Sequence, residues 1–337
     1  MPEPAFKAGQ AWQPHAGKVR LLRRSVVSVH PATASRLAPL VERPRAMAIL
    51  GALTIAFSAI LVRLADQPPS TAAFYRCAYA VPLLGVLAWR EDRRLGPRPG
   101  RGRLLAALAG AFFAIDLVCW HHAIADVGAG LATVLGNLQV AFVPLAAWVA
   151  LGEHPGRRVV TTLPLVLLGI VLISGALETG AYGDNPGLGV VFGVATGLSY
   201  AAFILVLRAG GTDLRRPAGP LFDATFVAAV GALAAGAVLG EDRLTPSWPA
   251  HGWLALLALT SQVLGWLLIT ASLPRLPAAL AAVLLTIQPV GSVLLGIAIF
   301  GEAPSALQVA GVVALLGGLL LVTRPTRGAR AVRPRPA

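Results

Sequence analysis

Three charged residues, Arg76, Asp116 and Asp223, fall inside long apolar stretches of this sequence. In a membrane, a charge at the bilayer centre costs about 2.5–3.5 kcal/mol, whereas each Leu, Ile, Phe or Val returns only about 0.3–0.6 kcal/mol. Such charges are therefore retained where they bind a ligand, carry a proton or pair with another charge. Asp223 follows Pro220 closely, where a carboxylate complements the dipole of a helix start, and we interpret it as a helix-end residue.

Arg76 and Asp116 are predicted to lie at similar depths on consecutive antiparallel helices, so we expect the two side chains to approach each other. Burial would oppose the ionisation of Asp116, and a nearby guanidinium would favour it. A tight pair would leave Asp116 ionised to orient a substrate, while a loose pair would let it bind and release a proton. An ion pair that only fixes helix packing is the structural alternative.

Uncharged polar and aromatic residues at comparable depth extend this candidate site. Gln139, Gln262 and Gln288 fall near the middle of apolar stretches, where an amide is favourable only against a cavity or another helix. Trp120 lies one helical turn after Asp116 and offers an aromatic face suited to an amine or a planar group, although a membrane-interface anchor is the alternative. Further candidates for the lining are Ser58, Tyr75, Asn137, Tyr200 and Trp266.

The sequence predicts neither a metal site nor a cofactor. His121 and His122 follow Asp116 closely, but adjacent helical residues point about 100° apart, which disfavours shared coordination. Cys77 and Cys119 both lie in apolar stretches and form no CxxC or Cys/His spacing. The sequence also has no HExxH, no Ser/His/Asp spacing and no phosphate-binding glycine loop, so we expect no enzyme.

The composition indicates that these residues are positioned by membrane helices. Apolar residues make up 56% of the 337 residues and charged residues 13%, against about 25% charged in a soluble protein. A helix needs about 20 mostly apolar residues to cross the hydrocarbon layer. The sequence therefore predicts an all-α integral membrane protein with ten helices, at 46–63, 71–89, 104–123, 127–151, 159–176, 187–207, 220–239, 252–272, 277–300 and 305–323.

The basic residues predict the orientation of these helices. Of the 28 Lys and Arg residues, 25 lie in the two tails or in alternate loops, while the intervening loops hold only Arg63 and Arg243. Cytoplasmic loops retain positive charge, so both termini are expected to lie in the cytoplasm. The predicted location is the plasma membrane, that is, the bacterial inner membrane. This pattern explains the net charge of +13 without a nucleic acid partner.

The chain contains an internal repeat. Residues 129–153 and 278–302 align with nine identities in 25 positions, including Gln139 with Gln288 and a Gly-Glu pair at the end of each segment. Five predicted helices separate the two copies, and this odd number inverts the second copy relative to the first. Transporters use inverted repeats to open one central site to either side of the membrane in turn.

Further segments complete a pattern that resembles a known family. Residues 57–65 (FSAILVRLA) and 73–76 (AFYR) accompany the two helices that end in Gly-Glu. With these features, residues 46–323 resemble the ten-helix EamA-like family of the drug/metabolite transporter superfamily. The resemblance implies two five-helix repeats, at 46–176 and 187–323, and transport of a small molecule. The family includes exporters of amino acids and other metabolites, some of them driven by proton exchange.

We therefore predict a secondary transporter that exports a small polar metabolite, an amino acid or a related compound, by alternating access. A membrane-embedded enzyme acting on a lipid or headgroup is the alternative. The expected partners are the small-molecule substrate and the lipid bilayer, and small residues such as Gly311 also allow a homodimer. Residues 1–45 and 324–337 are predicted to be disordered basic cytoplasmic tails, with a transit peptide or a start site upstream of Met47 as alternatives for the first.

Overall fold

The structure is a computed structural model that describes residues 43–151, 157–210, 213, 215–272, 276, 284–285 and 287–323. Predictions for 1–42, Gly152-Glu153, 277–283 and 324–337 lie outside the described residues. The helices are α1 Pro44–Ala56, α2 Ser58–Ala65, α3 Pro69–Leu95, α4 Gly100–Gly136, α5 Gln139–Leu151, α6 Arg157–Ile173, α7 Pro186–Gly210, α8 Ala218–Leu239, α9 Ala250–Leu257, a π-helical segment Ala258–Gly265, α10 Trp266–Ser272, α11 Ile287–Phe300 and α12 Ala306–Thr323.

Most of these helices have the length and composition of membrane spans. Within the described residues, six stretches are long and apolar enough to cross a bilayer: Pro44–Ala65, Pro69–Leu95, Gly100–Val143, Pro186–Leu207, Ala218–Leu239 and Ala250–Ser272. Shorter apolar helices occupy Val160–Ile173, Ile287–Phe300 and Ala306–Leu321. The protein is therefore an all-helical, multi-pass membrane protein in the part of the chain that the structure describes.

The longest stretch reverses direction at Gly128. This residue has φ +82° and ψ 171°, a conformation that strains residues with a Cβ atom. Before it, α4 runs antiparallel to α7, with Phe113 stacked on Phe203. After it, the chain runs parallel to α7, with Gly193 packed against Leu135. The sequence predicts helices that end at 123 and begin again at 127, and the structure places the reversal at Gly128, with helix on both flanks.

Helices α3 and α8 form an antiparallel pair whose ends cap each other. Near the C-terminal end of α3, Glu91 accepts hydrogen bonds from the backbone N–H groups of Ala218 (2.9 Å) and Gly219 (2.8 Å) at the start of α8. Just beyond the C-terminal end of α8, Glu241 accepts from the backbone N–H (2.9 Å) and hydroxyl (2.6 Å) of Ser70 at the start of α3. Each carboxylate thus satisfies helix N–H groups that have no intrahelical partner.

Helix α11 runs parallel to α1 and α2. The Ser292 hydroxyl donates to the Ala56 carbonyl at 2.8 Å, and further along both elements Glu302 meets Arg63 at 2.6 Å. The neighbouring pair α6 and α12 is joined through glycines, since Gly169 and Gly311 each lie against the other helix's backbone. The surface around Gly311 that was considered for a homodimer is therefore occupied within the chain.

Three predicted helices are interrupted near mid-length. The first is divided at Phe57 into α1 and α2. The fourth is divided at Asn137-Leu138, where backbone bonds tighten to i→i+3 and the Asn137 amide donates to the Thr133 carbonyl at 2.8 Å. The eighth contains the π-helical segment with Gln262. The predicted uninterrupted helices are thus corrected at three places, and such interruptions often accompany functional sites.

Candidate functional site

A buried polar cluster joins α3, α8 and the π-helical segment. Arg76 on α3 is 4% exposed and donates from Nε to Oε1 of Gln262 at 3.0 Å. Gln262 is fully buried and donates from Nε2 to the hydroxyl of Thr225 on α8 at 3.2 Å. Arg76 can only donate, so the amide oxygen faces the guanidinium and the NH₂ group faces the Thr225 hydroxyl. We call Arg76, Asp116, Trp120, Thr225 and Gln262 the polar cluster.

The polar cluster depends on local backbone geometry. Helix α3 carries Arg76 two turns after its start at Pro69, so the side chain lies well inside the span. The π-helical segment is wider than an α-helix and shifts the register of the residues that follow it. Gln262 lies near the middle of this segment, and its amide forms hydrogen bonds with both Arg76 and Thr225.

Asp116 belongs to the polar cluster without forming a salt bridge. Its side chain is 6% exposed, and it interacts electrostatically with Arg76. Among the described ion pairs, however, no nitrogen–oxygen distance of 4.0 Å or less joins these two residues. Of the two arrangements that the sequence left open, the structure has the one without a direct contact: Gln262 accepts from Nε of Arg76, and the Trp120 ring lies 5.5 Å from the guanidinium carbon. The pair is therefore loose.

One terminal nitrogen of the guanidinium has no partner. Nη1 of Arg76 is buried and makes no hydrogen bond within the described structure. A buried cation with an unsatisfied donor is unfavourable in a membrane interior, where water does not compensate it.

An aromatic group lies beside the polar cluster and contains two predicted site residues. Tyr200 and Trp266 have ring centroids 6.0 Å apart, and both contact Phe203. The Tyr200 hydroxyl interacts with the Gln139 side chain and lies within electrostatic reach of Asp116. Tyr200 thus contacts Gln139 and Trp266 and also lies within electrostatic reach of Asp116.

The remaining predicted lining residues differ in their surroundings. Tyr75 donates to the Leu244 carbonyl at 2.6 Å and packs edge-on against His251, so it belongs to a separate aromatic group. Tyr75 precedes Tyr79 by one turn on the same face of α3, whereas Arg76 points to another face. Ser58 is fully buried with an unpartnered hydroxyl at the start of α2. The amide of Asn137 is used within its own helix, and Gln288 lies partly buried in the first turn of α11.

Sequence reasoning missed the partners of Glu302. This residue is 3% exposed, and its Oε1 accepts from Nη1 of Arg63 at 2.6 Å and from the N–H of Ala129 at 2.7 Å. Its Oε2 accepts from the N–H of Gly130 at 3.1 Å. We call these four residues the Glu302 clamp. Gly301, with φ +65°, ends α11 and lets the chain turn Glu302 back toward the helices.

The signal for these carboxylates was present in the sequence. Glu302 belongs to the repeated Gly-Glu pair, and Glu91 and Glu241 are separated by nearly the same shift as that repeat. Asp223 was interpreted as a helix-end residue, and the structure gives it a specific partner, with Arg98 donating to both carboxylate oxygens at 2.8 and 3.1 Å. Glutamates at helix ends were treated as loop residues, although they can cap a neighbouring helix.

No metal centre is apparent in the part of the chain that the structure describes. No group of three or more His, Cys, Asp or Glu residues there has the geometry to hold an ion. His121 is buried with Nδ1 bonded to the Leu117 carbonyl. His122 stacks on Phe192 at 4.7 Å and approaches Glu241 at 3.3 Å. The chemistry available in the polar cluster is recognition of charge, by one guanidinium and one carboxylate.

Comparison with known proteins identifies the family of this helical bundle. The sequence profile of the EamA-like transporter family matches residues 45–175 and again residues 187–324. The chain is a member of the EamA-like transporter family. This EamA-like protein is therefore a membrane transporter and not an enzyme.

Individual relatives cover most of this EamA-like transporter. It is 27% identical over 286 residues to the pseudopaline exporter CntI of Pseudomonas aeruginosa. The aligned region covers 84% of this chain and 96% of that protein. It is 28% identical over 296 residues to an uncharacterised protein of the same species, and this alignment covers 87% of this chain and 98% of that protein. A solved crystal structure with 15% identity matches at a TM-score of 0.53 over 83% of this chain and 97% of the other, a likeness that shows the fold alone.

Proposed function

We propose that this EamA-like transporter exports a small polar metabolite, an amino acid or a related compound, across the plasma membrane by alternating access. The observation that carries the proposal is the polar cluster. It holds a cation and a carboxylate without a direct salt bridge, deep in helices that have the composition of membrane spans. Charged groups in such a place are typical of substrate and ion pathways.

The inverted repeat is supported by the directions of paired helices. The reciprocal caps make α3 and α8 antiparallel, and these are the second helices of the two proposed five-helix repeats. The Glu302 clamp brings the C-terminal end of α11 to the start of the segment after Gly128, as expected for an antiparallel pair of repeat mates. Ten crossings follow if Gly100–Val143 crosses twice and the three shorter apolar helices each cross once.

The direction and membrane of transport rest on other observations. The relative that is named an exporter covers 84% of this chain, which supports export. The distribution of Lys and Arg supports cytoplasmic termini and a plasma-membrane location. In this orientation, Arg76 and Asp116 are reached by substrate from the cytoplasm when the bundle opens inward.

Asp116 provides a mechanism for exchange. Because no ion pair fixes it, Asp116 can change its protonation state during the cycle. A proton and a cationic group of the substrate would compete for the same carboxylate, so loading one would release the other. Alternating exposure of Asp116 to the two sides would then couple substrate export to proton entry.

The test is flux in proteoliposomes that contain the purified protein. Uptake and release of amino acids, amines and nucleosides would be measured with and without an imposed pH gradient. We expect the wild type to transport at least one amino acid and to respond to the gradient, and we expect Asp116→Asn to lose the response. Asp242→Asn, an exposed residue in the loop after α8, is the matched control. A response to the gradient that survives Asp116→Asn would exclude the exchange mechanism, and no flux of any solute would refute transport.

A further inference from the structure

We infer that Arg76 binds a carboxylate group of the substrate and that Gln262 and Thr225 are positioning residues for this contact. The inference rests on the proposed function and specifies its substrate class. It starts from the unpartnered Nη1 nitrogen on a side chain that is 4% exposed. A donor of this kind in a membrane interior needs an anionic acceptor that is present during only part of the cycle.

The hydrogen bonds of Arg76 determine which edge of the guanidinium is available. Gln262 accepts from Nε, so the side edge of the planar group is held. Nη1 belongs to the end edge, where two parallel N–H groups match the two oxygens of a carboxylate. The Trp120 ring lies 5.5 Å from the guanidinium carbon and restrains the plane of the group. The end edge is therefore held in place before a substrate arrives.

Thr225 anchors the far end of the Gln262 amide. Arg76 can only donate, so the amide oxygen faces the guanidinium, and the Thr225 hydroxyl accepts from Nε2 of Gln262 at 3.2 Å. All three side chains come from different elements, and Thr225 and Gln262 are fully buried. Without the hydroxyl, the NH₂ group is buried with no acceptor in this cluster, so the amide is no longer held against Arg76. A displaced amide would release the guanidinium from its position.

Asp116 completes the recognition of a zwitterion. It interacts with Arg76 electrostatically, but the two are too far apart for a salt bridge. A solute that carries an ammonium next to a carboxylate can bridge this gap, with the carboxylate on Arg76 and the ammonium on Asp116. A simple amine would satisfy only Asp116 and would leave the guanidinium unpaired. The polar cluster therefore favours α-amino-acid groups over amines and amides.

The test compares each carboxylate with its amide in proteoliposomes. The probes are the twenty L-amino acids and their C-terminal carboxamides. For the best transported amino acid, we expect wild-type flux to exceed that of the carboxamide by about tenfold or more, since the amide cannot form the charge-assisted bonds of a carboxylate to the guanidinium. Arg76→Lys retains the charge but loses the two parallel N–H groups of the guanidinium. It should reduce the ratio of amino-acid flux to carboxamide flux by about tenfold.

Thr225→Val tests the positioning role separately. It retains the shape and removes the hydroxyl, so the ratio of carboxylate to carboxamide flux should fall toward that of Arg76→Lys. Thr260→Val is the matched control, because the Thr260 hydroxyl bonds to the Leu256 carbonyl of its own helix on an exposed face. Elution as a single species in detergent confirms that each variant is folded, and Gln262→Met replaces Thr225→Val if the latter does not fold.

Two outcomes would overturn the inference. Equal wild-type flux of an amino acid and its carboxamide would show that the carboxylate is not recognised, while transport itself would stand. Flux of amines or nucleosides alone, with none of the amino acids, would likewise reject Arg76 as a carboxylate site and leave a transporter with another substrate. An absence of flux for every probe would refute the proposed function as well, so the two failures are distinguishable.

Discussion

Glu302 and Asp116 are both carboxylates in nearly water-free surroundings, at 3% and 6% exposure, but their environments differ. Glu302 accepts three hydrogen bonds, one from Arg63 and two from backbone N–H groups. Asp116 has an arginine in electrostatic reach but no direct ion pair. A fully satisfied buried charge stabilises one arrangement of helices, whereas an incompletely satisfied one is available to a ligand or a proton.

The two arginines repeat this difference. Arg63 pairs with Glu302 at 2.6 Å and also lies over the Phe300 ring, at 4.2 Å from its centroid. Arg76 has an amide and an indole as neighbours and retains a free terminal nitrogen. Under the proposed function, the Glu302 clamp is part of the framework and the polar cluster takes part in the transport cycle. Substitutions in the two regions should separate stability from flux.

The largest effect is expected for Glu302→Ala. The substitution removes the acceptor of two backbone N–H groups and leaves Arg63 without its charge partner. Breaking a buried pair in this way costs about 3–5 kcal/mol. We expect a clear fall in the thermal unfolding midpoint of the detergent-purified protein and a lower yield. Asp242→Ala, an exposed acid in a nearby loop, is the control, and an unchanged midpoint for Glu302→Ala would remove the distinction between the two regions.

Arg76→Met should have the opposite profile. It removes a buried cation that makes one hydrogen bond to Gln262 and no direct ion pair, so the relief of its desolvation cost offsets the bond that is lost. We expect an unchanged or higher unfolding midpoint together with loss of flux in proteoliposomes. Arg63→Met is the matched comparison and should lower the midpoint. If Arg76→Met unfolds as readily as Arg63→Met, Arg76 is a structural residue.

These contrasts show what the sequence can predict. The apolar stretches predicted the membrane class and most helix positions, because crossing a bilayer constrains length and composition strongly. The charges inside those stretches predicted Arg76 and Asp116 as residues of interest, since they are unfavourable in lipid unless they are used. Both signals depend on composition along the chain, and neither needs knowledge of which helices are neighbours.

Predictions that required knowledge of neighbouring helices were less successful. Arg76 bonds to Gln262, which lies far along the chain, rather than to Asp116 on the next predicted span. Tyr75 looked equivalent to Tyr200 by depth, but it packs against His251 on another face of α3. The sequence predicts a break between residues 123 and 127, but it does not place the turn at Gly128, because a single glycine with positive φ carries no composition signal of its own. Helix rotation and partner choice are set by tertiary packing.

A smaller effect is expected at the reciprocal caps of α3 and α8. Glu91→Gln and Glu241→Gln retain an acceptor oxygen but lose the charge that complements the helix start. Each should reduce stability by about 1 kcal/mol, the usual contribution of a charge at a helix N-terminus. The thermal midpoints of the two variants should agree closely, because the two carboxylates have equivalent positions at opposite ends of the pair. A large difference between them would show that the two ends of the pair are not equivalent.

The smallest effect is expected for Asp213, whose ion pair lies in water between α7 and α8. Its geometry is as good as that of the Glu302 clamp, with Nε and Nη2 of Arg215 both 2.9 Å from its oxygens. These hydrogen bonds lower the pKa of Asp213 to about 2. A lowered pKa stabilises the fold above the unfolded-state pKa, and this contribution is lost as the pH falls through the folded value.

This ion pair should contribute negligibly to the stability of the fold despite the lowered pKa. The Arg215 side chain is 75% exposed, so solvent and salt screen the charges. We therefore expect Asp213→Asn to leave the thermal midpoint unchanged at about pH 7 and at about pH 4, since the wild-type carboxylate is ionised at both. The thermal midpoints of Asp213→Asn and Glu302→Ala, measured under the same conditions, would compare a carboxylate–arginine pair in water with one in the protein interior. A loss for Asp213→Asn comparable to that for Glu302→Ala would mean that hydrogen-bond geometry, rather than burial, determines which carboxylates hold this bundle together.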